Sequence, residues 1–146
     1  MAGRTLLAVA VSAVLAFAPA PLPKRDQSPD DLRLMQGRWA CEKKIVLGDA
    51  HQCAYEVVIN GRTFAGQRMR LDPKQAPKAI DLEVIVGDST YYRRGIYSLQ
   101  GDALVICSYA SPMDPSDARR PPNFDRNRAG VIIEFLSRLD PHERTR

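Results

Sequence analysis

From residue 79 to 86 the chain alternates: Ile80, Leu82, Val84 and Val86 share one parity, and Asp81 and Glu83 the other. A period of two is that of a strand with one face on a core and one in water. From Gly37 onward, short runs rich in Val, Ile, Leu and Tyr recur between turn residues at intervals of about ten, the signature of an all-β domain. The pattern predicts strands over Arg38–Leu47, Gln52–Ile59, Arg62–Leu71, Ala79–Val86, Tyr91–Leu99, Ala103–Tyr109 and Gly130–Leu139. Trp39, Cys41 and Ile45 share a parity in the first of these, and the third runs through Gly66 and stops at Asp72-Pro73. Turns are expected at Gly48-Asp49, Gly87-Asp88 and Gly101-Asp102, and Asn60-Gly61 is the strongest hairpin signal because both residues tolerate positive φ.

Helical periodicity is confined to Asp30–Gln36, where Ser28-Pro29-Asp30-Asp31 reads as a helix start, Leu32, Leu34 and Met35 as apolar positions and Gly37 as the stop. Ser111–Ala129 carries four prolines and little apolar material and is expected to be a long loop. In the last strand Val131, Ile133 and Phe135 oppose Ile132 and Leu136, so both faces are expected to be partly covered. Seven or eight antiparallel strands in about 110 residues close most economically as a small up-and-down barrel, because closure leaves no unpaired edge. A sandwich fits the same pattern.

The N-terminus reads as an export signal. Arg4 supplies a positive start, and Leu6–Phe17 is an apolar run of 12 residues broken only by Ser12, shorter than the roughly 20 residues needed to span a bilayer. The division expected is a signal peptide over residues 1–20, a Pro-rich spacer over 21–29, the barrel over 30–140 and a tail over 141–146. Both small-x-small sites, Ala16-Phe17-Ala18 and Ala18-Pro19-Ala20, precede a proline, so an uncleaved segment acting as a membrane tether is the alternative. No cysteine follows the run, and a lipoprotein anchor is not expected.

Export to a periplasmic or extracellular compartment would place Cys41, Cys53 and Cys107 in an oxidising environment. Three cysteines allow one bridge. Cys41 and Cys53 lie in adjacent predicted strands on the parity of Trp39 and Tyr55, which makes them the expected disulfide and leaves Cys107 free. A strict Gly48-Asp49 turn would pair Cys53 with Lys44 instead, so the bridge requires a wider loop. Cys41, His51 and Cys53 match no zinc spacing, and no metal is expected.

A length of 146 residues with 45% hydrophobic and 26% charged content fits one domain. Beyond residue 23 the chain holds 20 Lys and Arg against 17 Asp and Glu, a net of +3, too mild to imply a nucleic-acid partner. No catalytic set assembles: Cys107 has only His51 and His142 as prospective bases, and Asp81 with Glu83 is the ordinary outer face of a strand. Arg93-Arg94 and the loop set Arg119, Arg120, Arg126 and Arg128 are interleaved with Asp114, Asp117 and Asp125 or exposed to solvent, and no phosphate loop or dinucleotide fingerprint occurs. No cofactor is expected. Tyr91, Tyr97 and Tyr109 are candidates for lining a cavity mouth, where an apolar body with a polar tip suits a small ligand.

A helical turn followed by Gly37-Arg38-Trp39 resembles the motif that opens the first strand of lipocalins. Leu71-Asp72-Pro73-Lys74-Gln75-Ala76-Pro77-Lys78-Ala79-Ile80-Asp81-Leu82 and Gly95–Cys107, with Arg119-Arg120-Pro121-Pro122-Asn123-Phe124, resemble the lipocalin-like domain family of unknown function found in exported planctomycete proteins. The resemblance covers residues 31 to 140 and implies a small antiparallel barrel with no established activity. It also implies that Arg138, late in the barrel, stacks on Trp39 and closes one end, with Gly37, Trp39 and Arg138 in structural roles. The chain departs from the family pattern in the short segment between Asn60-Gly61 and Leu71 and in its extra Cys41 and Cys53. The function expected is that of an exported, non-enzymatic binding domain for a small apolar molecule or an envelope component. The alternatives are an interaction module with a solid core and, more remotely, a hydrolase or isomerase.

Overall fold

The computed structural model describes residues 30–139. The expected signal peptide, spacer and tail, with His142, lie outside the described residues. A short helix α1 (Asp31–Leu34) is followed by β1 (Gly37–Val46), β2 (Asp49–Gln52), β3 (Glu56–Asn60), β4 (Thr63–Phe64), β5 (Gln67–Asp72), β6 (Ala79–Val86), β7 (Ser89–Gln100), β8 (Ala103–Tyr109) and β9 (Val131–Arg138). Every pairing is antiparallel, and β9 returns to β1, so the sheet closes into a barrel rather than a sandwich. β2 and β3 lie successively along the same edge of β1, opposite β9, and form one stave broken between Gln52 and Glu56.

The turns refine three expectations. Val46 pairs with Asp49, so the first turn is Leu47-Gly48 rather than Gly48-Asp49. Asn60 pairs with Thr63, which moves the second turn one residue on, to Gly61-Arg62. Gly66 is not a strand residue: Ala65 and Gly66 have φ of 49° and 81° and form a two-residue turn of the type that demands positive φ at both positions. The expected third strand is therefore two staves, β4 and β5, and the barrel reaches eight with β4 reduced to two residues.

A bulge in β1 overturns one parity. Cys41 pairs with Leu136 but Lys43 pairs with Phe135, so Glu42 is an extra residue. Trp39 and Cys41 point into the barrel, while Ile45 is turned to the outer wall. One inserted residue exchanges the faces of all that follows.

The core accordingly has two layers. The lumen is filled by Trp39, Val57, Ile59, Met69, Leu82, Tyr97 and Leu104 among others, with Met35, the C-cap of α1, plugging one end. A second cluster on the outer wall joins Ile45, Ile96, Cys107, Val131 and Ile133 with Phe124 of the loop between β8 and β9.

Candidate functional site

The plugged end is held by hydrogen bonds that follow from the residues at its rim. The Trp39 indole N–H donates to Met35 O at 2.8 Å, and the Arg138 guanidinium carbon lies 4.3 Å from the indole centroid. The same guanidinium donates to Gln36 O at 2.7 Å and to Leu34 O, carbonyls that the end of α1 leaves without helical partners. Gly37 has φ +124°, and a Cβ there would meet Arg138 Nη1 at 3.2 Å, so the glycine serves both the backbone turn and the close approach of the arginine. Deeper in the lumen, buried Asp31 accepts from Tyr97 OH at 2.7 Å and from Lys78 Nζ at 2.8 Å. Burial, and then the hydrogen bond to Asp31, push the Tyr97 phenol far above its usual range.

The opposite mouth is polar. Buried Glu134 accepts from Arg93 Nη2 at 2.5 Å and from Tyr55 OH, and Arg93 Nε donates to Ser108 Oγ at 3.0 Å. Burial first and the Glu134 hydrogen bond second raise the Tyr55 phenol. These groups satisfy one another, which is how a charged pair is kept beneath a half-open rim.

The outer wall carries the concave surface. The first half of the loop is pinned to β6 and β7. Tyr92 and Met113 exchange backbone hydrogen bonds of 2.9 Å, and Arg94 donates to Pro115 O at 3.1 Å and Asp117 O at 2.8 Å. Arg120 forks onto Asp81 at 2.5 and 2.9 Å and also reaches Ile80 O and Gly95 O at 3.2 and 3.1 Å. Pro121 is fully buried beside this clamp. The second half of the loop, with Phe124 packed on the outer cluster, borders a cleft of about 450 Å³, with Ile45, Ile133, Phe135 and Phe124 on its apolar surfaces and Lys43 and Arg126 at its polar edge. Lys43 Nζ sits 5.6 Å from the Phe135 centroid, which holds the ammonium over the cleft.

No family model, curated protein or solved structure matches the chain. The cleft therefore has to be read from its own chemistry.

The three candidate tyrosines do not converge. Tyr97 is inside the plugged end, bonded to Asp31. Tyr91 is half-buried on the lumen parity near the open mouth, paired with Val84. Tyr109 packs in the outer cluster. Cys41 and Cys53 form a disulfide with Cα atoms 5.5 Å apart. The wider loop expected between them is absent: Val46 pairs with Asp49 across a two-residue turn, and Cys53, just past β2, meets Cys41 beside the bulge, with Cys53 N–H donating to Glu42 O at 3.4 Å and Cys41 N–H to Tyr55 O at 2.9 Å. His51 stays exposed on β2, and no cluster of metal-ligating side chains occurs among the described residues. Cys107 is buried, free and pushed up to about 11 by burial, the character of a packed thiol rather than a nucleophile.

Lys43, Phe124, Arg126 and Phe135 were not singled out by the sequence pattern as one site. The signal present was the final strand, apolar on both parities, since a barrel strand whose outer face is also apolar needs a second cover.

Proposed function

We propose that the protein is an exported, non-enzymatic, lipocalin-like binding domain, and that its ligand is a small, largely apolar molecule held in the cleft between the outer wall and the β8–β9 loop. One observation carries this reading: an apolar-walled cleft of about 450 Å³ lies outside a lumen filled by its own side chains. That volume falls within the roughly 300 to 1,000 Å³ of small-molecule sites. Export is supported by the Cys41–Cys53 disulfide together with the apolar run after Arg4. The non-enzymatic reading is supported by the engagement of the acidic groups: Asp81 is held by Arg120 and Arg94, and Glu134 by Arg93 and Tyr55.

The test is titration of the full chain with Nile red, a neutral apolar dye, against the Phe124→Ala and Phe135→Ala variants. Saturable fluorescence enhancement that weakens at least about five-fold in both variants, the loss of roughly 1 kcal/mol of apolar contact, is expected. Binding that is indifferent to both phenylalanines overturns the assignment of the cleft.

A second reading, an interaction module, is favoured by β6. Beyond Leu82 its edge is not paired with β5, and Ile85 and Val86 are 70% and 59% exposed there. An open strand edge with apolar side chains is a surface on which another chain can add a strand.

A further inference from the structure

We infer that the ligand of the outer cleft is an amphipathic anion with a single short tail, a carboxylate or similar monoanionic head held between Lys43 and Arg126 and an aliphatic tail laid on Ile45, Ile133, Phe124 and Phe135. The inference rests on the reading of the cleft as a ligand site and adds the charge and shape of what fills it. Three observations converge on it.

The first is that the two cations at the cleft have no acidic partner among the described residues. Each has an acid beside it in sequence, and both acids are engaged elsewhere. The Glu42 carboxylate accepts from Ser137 Oγ, and Asp125 Oδ1 accepts the Asn127 N–H at 3.0 Å. The cleft edge thus carries two cations that no carboxylate among the described residues holds in an ion pair.

The second is the position of Lys43. The bulge at Glu42 puts Lys43 on the outer parity opposite Phe135, and its ammonium lies 5.6 Å from that ring centroid. A strand without the bulge would have sent this side chain into the lumen. Arg126 comes from the other wall, on the loop, so the two donors flank one opening. A guanidinium and an ammonium lining one cleft with an apolar floor suit a compact head with several acceptor oxygens.

The third is size. A cleft of about 450 Å³ admits one short tail, not the paired chains of a membrane lipid. An apolar body alone would leave the two cations unused. A cationic amphiphile would meet like charge.

The probes are decanoate and decyltrimethylammonium below their critical micelle concentrations and decanol below its solubility limit, titrated into the full chain while the methyl signals of Ile45 and Ile133 are followed by NMR. Decanoate is expected to bind at least about ten-fold tighter than decanol, as for one charge-assisted hydrogen bond, with the cation weakest. Added salt should erode the preference for decanoate. Charge reversal by Lys43→Glu with Arg126→Glu, both at exposed positions, should invert the order and place the cation first. If decanoate and decanol bind alike, the anionic head is wrong and the apolar cleft stands. If the order survives charge reversal, the head does not lie between these residues. If no probe moves the Ile45 and Ile133 methyls, the cleft reading itself fails.

Discussion

Replacing Arg138 by alanine removes, in one step, the ring contact, the cap on α1 and an ion pair, and each can be weighed separately. Trp39 is 0% exposed, so the stacked guanidinium acts in a desolvated setting and contributes about 1–2 kcal/mol. The two hydrogen bonds to Gln36 O and Leu34 O come from a charged donor and contribute about 1.5 kcal/mol each. The Asp102 carboxylate, accepting from Nε at 2.9 Å, is 81% exposed and adds little. The Arg138 side chain is itself 26% exposed, and discounting the total for that solvation leaves a loss of about 3 kcal/mol. In a domain of this size that lowers Tm by about 12 °C. Arg138→Lys keeps a charge over the ring but cannot fork onto two carbonyls, so about half the loss should remain. Urea denaturation followed by tryptophan fluorescence reads the site directly, because Trp39 is the only tryptophan in the chain. A lysine variant within about 0.5 kcal/mol of the parent, the scatter of an inert surface change, would refute the assignment of the cap and leave at most the ring contact.

Four further outcomes are expected. Gly95→Ala places a Cβ 2.7 Å from Cys107 O and 3.1 Å from Ser108 Cβ, and should cost about 2–3 kcal/mol in thermal unfolding; an unchanged Tm would show that β7 and β8 part freely. Arg120→Ala leaves Asp81 with the longer 3.4 Å contact to Arg94, and hydrogen exchange across residues 111–122 should accelerate at least about ten-fold, as for a local loss of 1.4 kcal/mol; unaltered exchange would place the anchor elsewhere. The Tyr97 pKa is raised in the folded state, so its contribution is complete below the ordinary value of 10.0 and falls as pH rises above it, by about 1.4 kcal/mol per pH unit while only the unfolded phenol ionises. Tyr97→Phe should therefore flatten the alkaline limb of the stability curve, and an identical limb in both proteins would exclude this source. Cys107 should be silent to a thiol reagent at pH 8 in the native chain and count as one thiol after denaturation without reductant; a count of three would exclude the disulfide.

The all-β class, the long loop and the division of most strands were legible because alternation and Gly-Asp turns are local properties. β6 shows both the reach and the limit of this: Ile80 and Leu82 fall inside as their parity predicts, but Val86 on the same parity is 59% exposed, because β5 does not pair with β6 beyond Leu82. Three features were not legible, each for a physical reason. The bulge at Glu42 has no local signature, as any residue can be the extra one; only the register with β9 reveals it. The turn at Ala65-Gly66 was hidden because a two-residue strand has no period to read. The clamp joining Arg120 to Asp81 spans 39 residues and depends on where the loop lands. The unexpected stave lies in the short segment between Asn60-Gly61 and Leu71. The Cys41–Cys53 pairing was readable from adjacency, but not the way it is reached: the turn between them is tight rather than wide, and Cys53 lies past the end of β2, beside the bulge at Glu42.

The placement of the cleft follows from how this barrel is sealed. Closure of eight staves leaves a lumen just wide enough to be filled by side chains or to hold one small molecule, and here Trp39, Tyr97, Met35 and Met69 take that space. The plug also fixes their positions, because Trp39 and Tyr97 hydrogen-bond to Met35 O and Asp31 of the α1 segment. A ligand entering the lumen would have to break those bonds or, from the opposite mouth, the Glu134–Arg93 pair and its Tyr55 hydrogen bond. A ligand on the outer wall breaks none of them. The β8–β9 loop makes that wall concave in two stages: Arg94, Arg120 and Pro121 tie its first half to β6 and β7, and the stretch carrying Phe124 and Arg126 then projects over β9 and β1. On the proposed reading binding uses one face of two strands and half a loop, where Ile45 and Ile133 also belong to the outer core layer, while the lumen and the plug take no part in it. Under that proposal the exposed Lys43, on β1, and Arg126, on the loop, would set what is bound without disturbing closure of the barrel.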